Sequence, residues 1–453
     1  MPKSLLLLLS ISFAFTLKAN DTLANEPIPA NKAKFHFHHR SFYMHTNNYR
    51  ELTDYSTLAA GAGLAFYSKE VKNFSFGFSG FFVYQIFEKN IYSIDPITGN
   101  TNRYEIALYD MDKFEPYQPR TRLDELYVQY KKKNTKITYG NQSFESPLLN
   151  GQDNRMHPNL FHGTSIYTKW KKLDFSGAWF THVSMRGTGS WFSISESFGV
   201  YPFGRNPSGT SSSYAHQTNS HGIGILGIKH HSAFAKTQLW SYTASNVFQL
   251  FWLQLDKNIK YKNNEISFGF QSFYETPLAN GGNANQELAY IKSGEKNYGF
   301  GAKIGYKIKN SDLSINALIL EGNGRFLFPR EWGREQFYAS LPRERMEGNG
   351  KSQGITMKLE TKHEKYWETM LGVGYYKIIS PDNIVLNKYG LPSYFHVACH
   401  TKYSFQKYLK GTDVYLLFVY KPSQNPNMVL DQYRLNRVDL WQINAVVNYK
   451  IHS

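Results

Sequence analysis

Along NYGFGAKIGYKI, residues Asn297 to Ile308, the large side chains Tyr298, Phe300, Ile304, Tyr306 and Ile308 share one parity with Ala302. Gly299, Gly301, Lys303, Gly305 and Lys307 take the other. A period of two marks a strand with one apolar and one wet face. Phe74, Phe76, Phe78 and Phe82 repeat the pattern against Ser75, Gly77, Ser79 and Phe81, as do Trp441, Ile443, Ala445, Val447, Tyr449 and Ile451 against Gln442, Asn444 and Asn448. Alternation of this kind predicts roughly eighteen strands, over 34–46, 57–67, 74–87, 122–130, 136–142, 164–170, 173–183, 221–229, 233–242, 247–256, 265–274, 297–308, 312–320, 353–361, 367–378, 394–405, 413–420 and 439–451.

The connections decide what solvent the apolar face meets. Short links (68–73, 131–135, 170–172, 229–232, 308–311, 362–366) alternate with long ones (88–121, 143–163, 184–220, 275–296, 321–352, 379–393, 421–438), and 47–56 and 243–246 are shorter members of the long set. Tight turns at one end, long loops at the other and both termini on the tight-turn side are the plan of an even-stranded outer-membrane barrel. Every backbone N–H and C=O must be paired inside a bilayer, so a sheet spans only if it closes. The expected fold is therefore all-β: a transmembrane up-and-down antiparallel β-barrel of about 18 strands, with Tyr298, Phe300, Ile304 and Tyr306 toward lipid and the Gly and Lys between them toward a water-filled lumen. Trp170, Trp240, Trp367 and Trp441 are placed for the interfacial girdles. A soluble propeller or sandwich competes but gives no reason for two-sided loop lengths.

Composition agrees. Mean hydropathy is −0.48 despite 33 Tyr and 33 Phe, and no apolar run reaches the roughly 18 residues of a helical span. Residues 1–19, MPKSLLLLLSISFAFTLKA, have the layout of a signal peptide cleaved after Ala19, with Ala24 the second choice. Residues 20–33 then form an N-terminal periplasmic segment and 34–453 the barrel. Cys399 is the single cysteine, so no intrachain disulfide forms, and it reads as a small apolar filler.

A net charge of +16 points to nucleic acid only until its placement is read. Lys69, Lys72, Lys131, Lys132, Lys133, Lys171, Lys172, Lys257, Lys260, Lys262, Lys309, Lys362, Lys365, Lys407 and Lys410 crowd the short turns as a solvated periplasmic rim. All fifteen arginines lie elsewhere, in strands or on the long-loop side. Their planar forks suit carboxylates and phosphates: they line a passage, or they pair with loop carboxylates and outer-leaflet phosphates. The third loop (143–163) holds Glu145, Asp153, Arg155, His157 and His162. The seventh (321–352) holds Arg325, Arg330, Glu331, Arg334, Glu335, Arg343, Glu344, Arg345 and Glu347. Folded inward, either would make a narrowing of opposed charges able to orient a small ion or zwitterion; self-pairing, such as Arg343 with Glu347, is the alternative.

The stretch 123–168 resembles the corresponding region of OprD-type porins: two strands around a lysine-rich turn end at Gly140, followed by Pro147, Asp153, Arg155, Pro158, Phe161 and Gly163. FPREWGREQFYASLPRERMEGNG further resembles the OprD-like Hof outer-membrane proteins of epsilon-type proteobacteria. The resemblance implies a monomeric eighteen-stranded barrel whose third and seventh loops narrow the pore. It also implies uptake of small carboxylates, amino acids or small peptides partly along an arginine ladder. Asp153 and Arg155 would sit in the constricting loop, with Arg120, Arg122, Arg330 and Arg334 as ladder candidates and Arg343 and Arg345 beside them. The terminal NYKIHS departs from the family's aromatic ending, an imperfect signal for the barrel-assembly machinery.

Other signals carry less. HFHHR (36–40) and KHH (229–231) have no carboxylate or Cys partner at metal spacing. GNGKS (348–352) lacks the first Gly of a phosphate-binding loop, and no G-x-S-x-G elbow marks a hydrolase. The expected function is passive diffusion of small anionic or zwitterionic solutes, not catalysis, with no cofactor, no metal and no nucleic acid, in contact with outer-membrane lipid and lipopolysaccharide. A surface protein whose long loops bind a partner is the alternative.

Overall fold

The computed structural model describes residues 32–113, 115–201 and 204–452; the leader and most of the 20–33 segment lie outside them. The strands are β1 Lys34–Asn47, β2 Tyr55–Tyr67, β3 Phe74–Lys89, β4 Arg120–Lys132, β5 Thr135–Gln142, β6 Leu160–Trp170, β7 Leu173–Ser184, β8 Phe192–Ser193, β9 Ile223–His231 and β10 Lys236–Ala244. They continue as β11 Phe248–Tyr261, β12 Asn264–Pro277, β13 Asn297–Ile308, β14 Ser311–Gly322, β15 Gln353–Glu364, β16 Trp367–Lys377, β17 Tyr394–Ser404, β18 Thr412–Lys421 and β19 Leu440–His452. The two-residue β8 only touches β7 at the start of the fourth long loop, and the other eighteen form the wall. Each pairs antiparallel with its neighbours, β7 passing directly to β9, and β1 meets β19 from Phe37↔Ile451 to Asn47↔Trp441, closing the sheet.

The alternation is obeyed. Phe300, Ile304 and Ile308 lie exposed on the outer face with Phe74, Phe76, Phe78 and Phe82, while Gln442, Asn444 and Asn448 turn inward and are buried. Boundaries shift where charge hides a strand: β11 continues through Lys257 to Tyr261, because its end leaves the apolar band and can carry lysine. β6 starts at Leu160, four residues earlier than expected, with a register shift at His162/Gly163. The third long loop is therefore 143–159.

Two expectations about faces are corrected. Trp240 is not a girdle residue: its neighbour Leu239 faces out, and Trp240 is buried inside. Nor does the wet face of β13 meet only water. A Cβ on Gly299 would lie 2.4 Å from the Phe273 ring, which packs 4.7 Å from Phe326 of the seventh long loop. Over this part of the lumen the inner face is aromatic, and the glycines there make room for a loop that enters the barrel.

Ile304 sits mid-strand on the outer face, opposite Phe268 and Ile315. Ile304→Arg is expected to cost roughly 2–4 kcal/mol of barrel stability, the penalty for a cation facing lipid near the midplane. The check is the temperature at which the folded, fast-migrating band is lost on unheated SDS gels; an unchanged temperature would place that face away from lipid.

Candidate functional site

Loop 7, residues 323–352, is held inside by its own aromatic residues. Phe326, Phe328, Trp332 and Phe337 are all buried, with Phe337 5.3 Å from Trp252 and Phe328 5.8 Å from Tyr242 of the inner wall. Burial of each such side chain is worth about 1.5–3 kcal/mol. Trp332 also donates its indole N–H to Ser197 Oγ at 2.8 Å, in the single helical turn Ile194–Ser197 of the fourth long loop.

Loop 3, residues 143–159, lies against it. The Asn150 N–H donates to Trp332 O (3.2 Å), Asn150 Nδ2 to Arg334 O (2.9 Å) and the Gln336 N–H to Pro147 O (3.0 Å). At Gly333, φ is +159° and a Cβ would stand 2.3 Å from Leu148 O, so only glycine allows this approach. The far side of loop 3 is fastened to the barrel seam. Arg40 on β1 donates to both oxygens of Asp153 (2.6 and 3.0 Å), to Arg155 O (2.5 Å) and to Asn448 Oδ1 on β19 (2.8 Å).

A cavity remains between the two loops, lined by eight arginines, one lysine and a single carboxylate. Loop 7 supplies Arg330, Arg334, Arg343 and Arg345 with Glu344, and loop 3 supplies Arg155. Arg103, Arg186 and Arg437 come from three other long loops, and Lys421 from the end of β18.

The acids of loop 7 are already occupied. Glu344 accepts from Tyr394 Oη (2.6 Å), His396 Nδ1 (2.9 Å) and the Arg345 N–H (2.9 Å), with Lys421 Nζ at 3.2 Å. Burial disfavours its charge, but Lys421 and His396 outweigh that and hold the carboxyl down to about 2. Glu347 is likewise held at about 2 against burial by Lys388 (3.0 Å) and Arg330 (2.5 Å). Arg343 does not pair with Glu347, but the alternative of self-pairing holds elsewhere in the loop, at Arg330–Glu347 and at Arg345–Glu335 (3.6 Å).

Four of the cations, by contrast, are short of partners. The Nε–H groups of Arg155, Arg186, Arg334 and Arg343 are buried without an acceptor. Burial pulls the Arg186 guanidinium down to about 10, with Arg345 and Arg334 adding to the effect, and the Arg437 guanidinium to about 10, with Arg103 adding to it. Burial and then Arg330 lower Arg103 too. A guanidinium stays protonated at neutral pH regardless. Burial is the first cause of each shift and neighbouring guanidiniums add to it; eight arginines and one lysine beside one carboxylate leave the cavity positive, which favours any anion able to enter.

Of the residues singled out in the sequence, Arg155, Arg330, Arg334, Arg343 and Arg345 come together on this lining. Asp153 stands one step back, on Arg40. Arg122 is buried in the wall, where it binds Asp124, Met185 O (2.9 Å) and Pro158 O (2.8 Å), clamping the roots of two long loops. Arg120 bonds to the Lys113 carbonyl, away from the lining. Arg103, Arg186 and Arg437 carry no local signal beyond the arginine excess of the long loops, and Lys421 carries none; only the folded loops bring them to one cavity.

The family model described as outer membrane porin, OprD family, matches residues 115–339. Among solved structures, Pseudomonas aeruginosa OccD3 (OpdP) is similar at 13% identity and TM-score 0.70, covering 93% of this chain and 91% of that one. P. aeruginosa OpdK with vanillate is similar at 14% identity and TM-score 0.70, over 93% and 99%. Acinetobacter baumannii OccAB4 gives 13% identity and TM-score 0.71, over 94% and 100%. No curated protein matches.

The depressed carboxyls predict an acid response. Their contribution to loop docking is complete above the ordinary carboxyl value near 4.5 and is lost as pH falls toward about 2. Glu347→Gln removes one partner of a buried pair, a loss of about 3–5 kcal/mol. Wild-type open-channel current should be quiet at pH 7 and noisy near pH 3, whereas the variant should already be noisy at pH 7. Equal noise in both proteins at pH 7 would show that Glu347 does not hold the loop.

Proposed function

We infer that this chain, an outer-membrane porin of OprD type, is a passive diffusion channel for small charged solutes: carboxylates, amino acids or small peptides. The observation that carries this reading is the cationic cavity formed where loops 3 and 7 meet inside a closed barrel. Arg155, Arg330, Arg334, Arg343 and Arg345 are assigned to the constriction itself. Asp153 fixes loop 3 through Arg40, Arg122 supports the loop roots, and Arg120 lies outside the cavity.

The finer placements are part of the same reading. The 328–350 sequence supports a position near the Hof proteins, and residues 1–19 support export through a cleaved leader. The outward apolar band supports contact with lipid and lipopolysaccharide after delivery by the barrel-assembly machinery, and the OprD plan supports a monomer. Family and fold are those of porins, which are not enzymes, and they favour the channel over a loop-mounted adhesin.

A planar bilayer with a salt gradient across it tests the assignment. The wild type should open in stable steps and prefer chloride to potassium. A guanidinium charge roughly 7 Å from the solute path is worth about 0.6 kcal/mol at the dielectric of water, favourable to chloride and unfavourable to potassium, so Arg155→Ala should lower the anion-over-cation preference about sevenfold. No current from a folded barrel would refute the channel reading; a current with unchanged selectivity would remove Arg155 from the constriction.

A further inference from the structure

We propose that the constriction selects solutes carrying two or more negative charges on one small frame, a di- or tricarboxylate or a phosphate monoester, and discriminates against zwitterions. This rests on the channel reading but narrows it, because the described cavity lining has no uncommitted carboxylate to receive an ammonium while groups that receive anionic oxygens are in excess.

A zwitterion needs a free carboxylate beside the cations. Glu344 is the only carboxylate on the lining, and its two oxygens already face four donors from Tyr394, His396, Lys421 and the Arg345 backbone. A carboxylate offers about four lone-pair sites, so Glu344 has none left for a solute. The nearby acids are also committed. Glu347 accepts from Arg330, Lys388 and Tyr389 Oη (2.8 Å), and Glu335 from the Met346 N–H (2.6 Å). The narrowing of opposed charges anticipated from the sequence is thus one-signed toward a solute.

The unsatisfied donors point the other way, and they come from separate segments. Arg155 is in loop 3, Arg186 at the start of the fourth long loop, and Arg334 and Arg343 in loop 7. Each has a buried Nε–H without an acceptor, and Arg155 is only 3% and Arg186 9% exposed. Among the described residues, the Arg343 side chain makes no hydrogen bond, whereas Arg334 reaches Leu341 O and Arg155 reaches only Asn154 O. One carboxylate presents two oxygens in one plane and is matched by a single bidentate guanidinium. Guanidinium groups that line one cavity from three segments are better matched by two carboxylates on a short frame, or by the three oxygens of a phosphate monoester. A second negative charge gains from the same uncompensated field, while an added ammonium is repelled by it.

The test is solute-induced interruption of single-channel current, using succinate, citrate, glycerol 1-phosphate, acetate and glycine as probes, on wild type, Arg343→Gln and Arg343→Lys. Unheated gel mobility shows that each variant is folded. On the wild type, residence times for succinate or glycerol 1-phosphate should exceed that for acetate by about tenfold, and glycine should leave the current undisturbed. Preference for the dicarboxylate alone or the phosphate ester alone identifies the source of charge and upholds the proposal. Arg343→Gln should shorten dianion residence about sevenfold, the effect of one charge on a doubly charged solute at roughly 7 Å, and Arg343→Lys should restore most of it. An open channel that holds acetate or glycine as long as succinate overturns this proposal while leaving the channel reading standing. A silent, folded barrel overturns both.

Discussion

A strand that crosses a bilayer must have both edges paired, and the final edge here is closed where β1 meets β19. Hydrocarbon offers no water to an open edge, so the wall exists only as a ring. The same seam carries the first fastening of the interior. Arg40 projects inward from β1, reaches Asn448 across the seam and grips Asp153 of loop 3. The loop that narrows the lumen is thus tied to the pair of strands that completes it, and its position depends on that closure.

Inside the ring, two kinds of packing divide the work. On the β10–β13 side, aromatic side chains of the wall and of loop 7 exclude water, and glycines such as Gly299 give up their side-chain volume so that the loop fits. On the opposite side of loop 7 the contacts are ionic. A buried charge is tolerated when its partners are complete, as at Glu344 and Glu347. Arg155, Arg186, Arg334 and Arg343 lack such complete partners, and the aromatic anchoring holds the loop in place against their mutual repulsion. Apolar packing on one face of the loop is what allows unbalanced charge on the other.

The wall was legible in the sequence because period-two alternation is local and lipid enforces it strand by strand, as Phe74 to Phe82 illustrate. Trp240 was misassigned because aromatic residues occur on both faces of this barrel; only register with Leu239 distinguishes them. The concentration of arginine on the long-loop side was equally visible, but not its convergence. Arg122 and Arg343 look alike in the sequence, yet one is clamped among carbonyls in the wall and the other donates to no described protein group. Which arginine becomes structural depends on carbonyls far away in the chain, such as Pro158 and Met185 for Arg122, and no local pattern encodes those.

The same distinction explains why charge counts alone mislead here. Loop 7 carries nearly as many acids as bases in the sequence and reads as a balanced, self-paired segment. Folding separates them only in part: Arg330 keeps Glu347 and Arg345 keeps Glu335 (3.6 Å) within the loop, while Glu344 turns to Lys421 and His396, and Glu347 also takes Lys388, from outside it. Each outside partner occupies acceptor sites that loop arginines such as Arg334 and Arg343 would otherwise use. The positive character of the cavity is therefore produced by the fold rather than by composition. It resides in the lysines and histidine that sequester the acids as much as in the arginines that line the cavity.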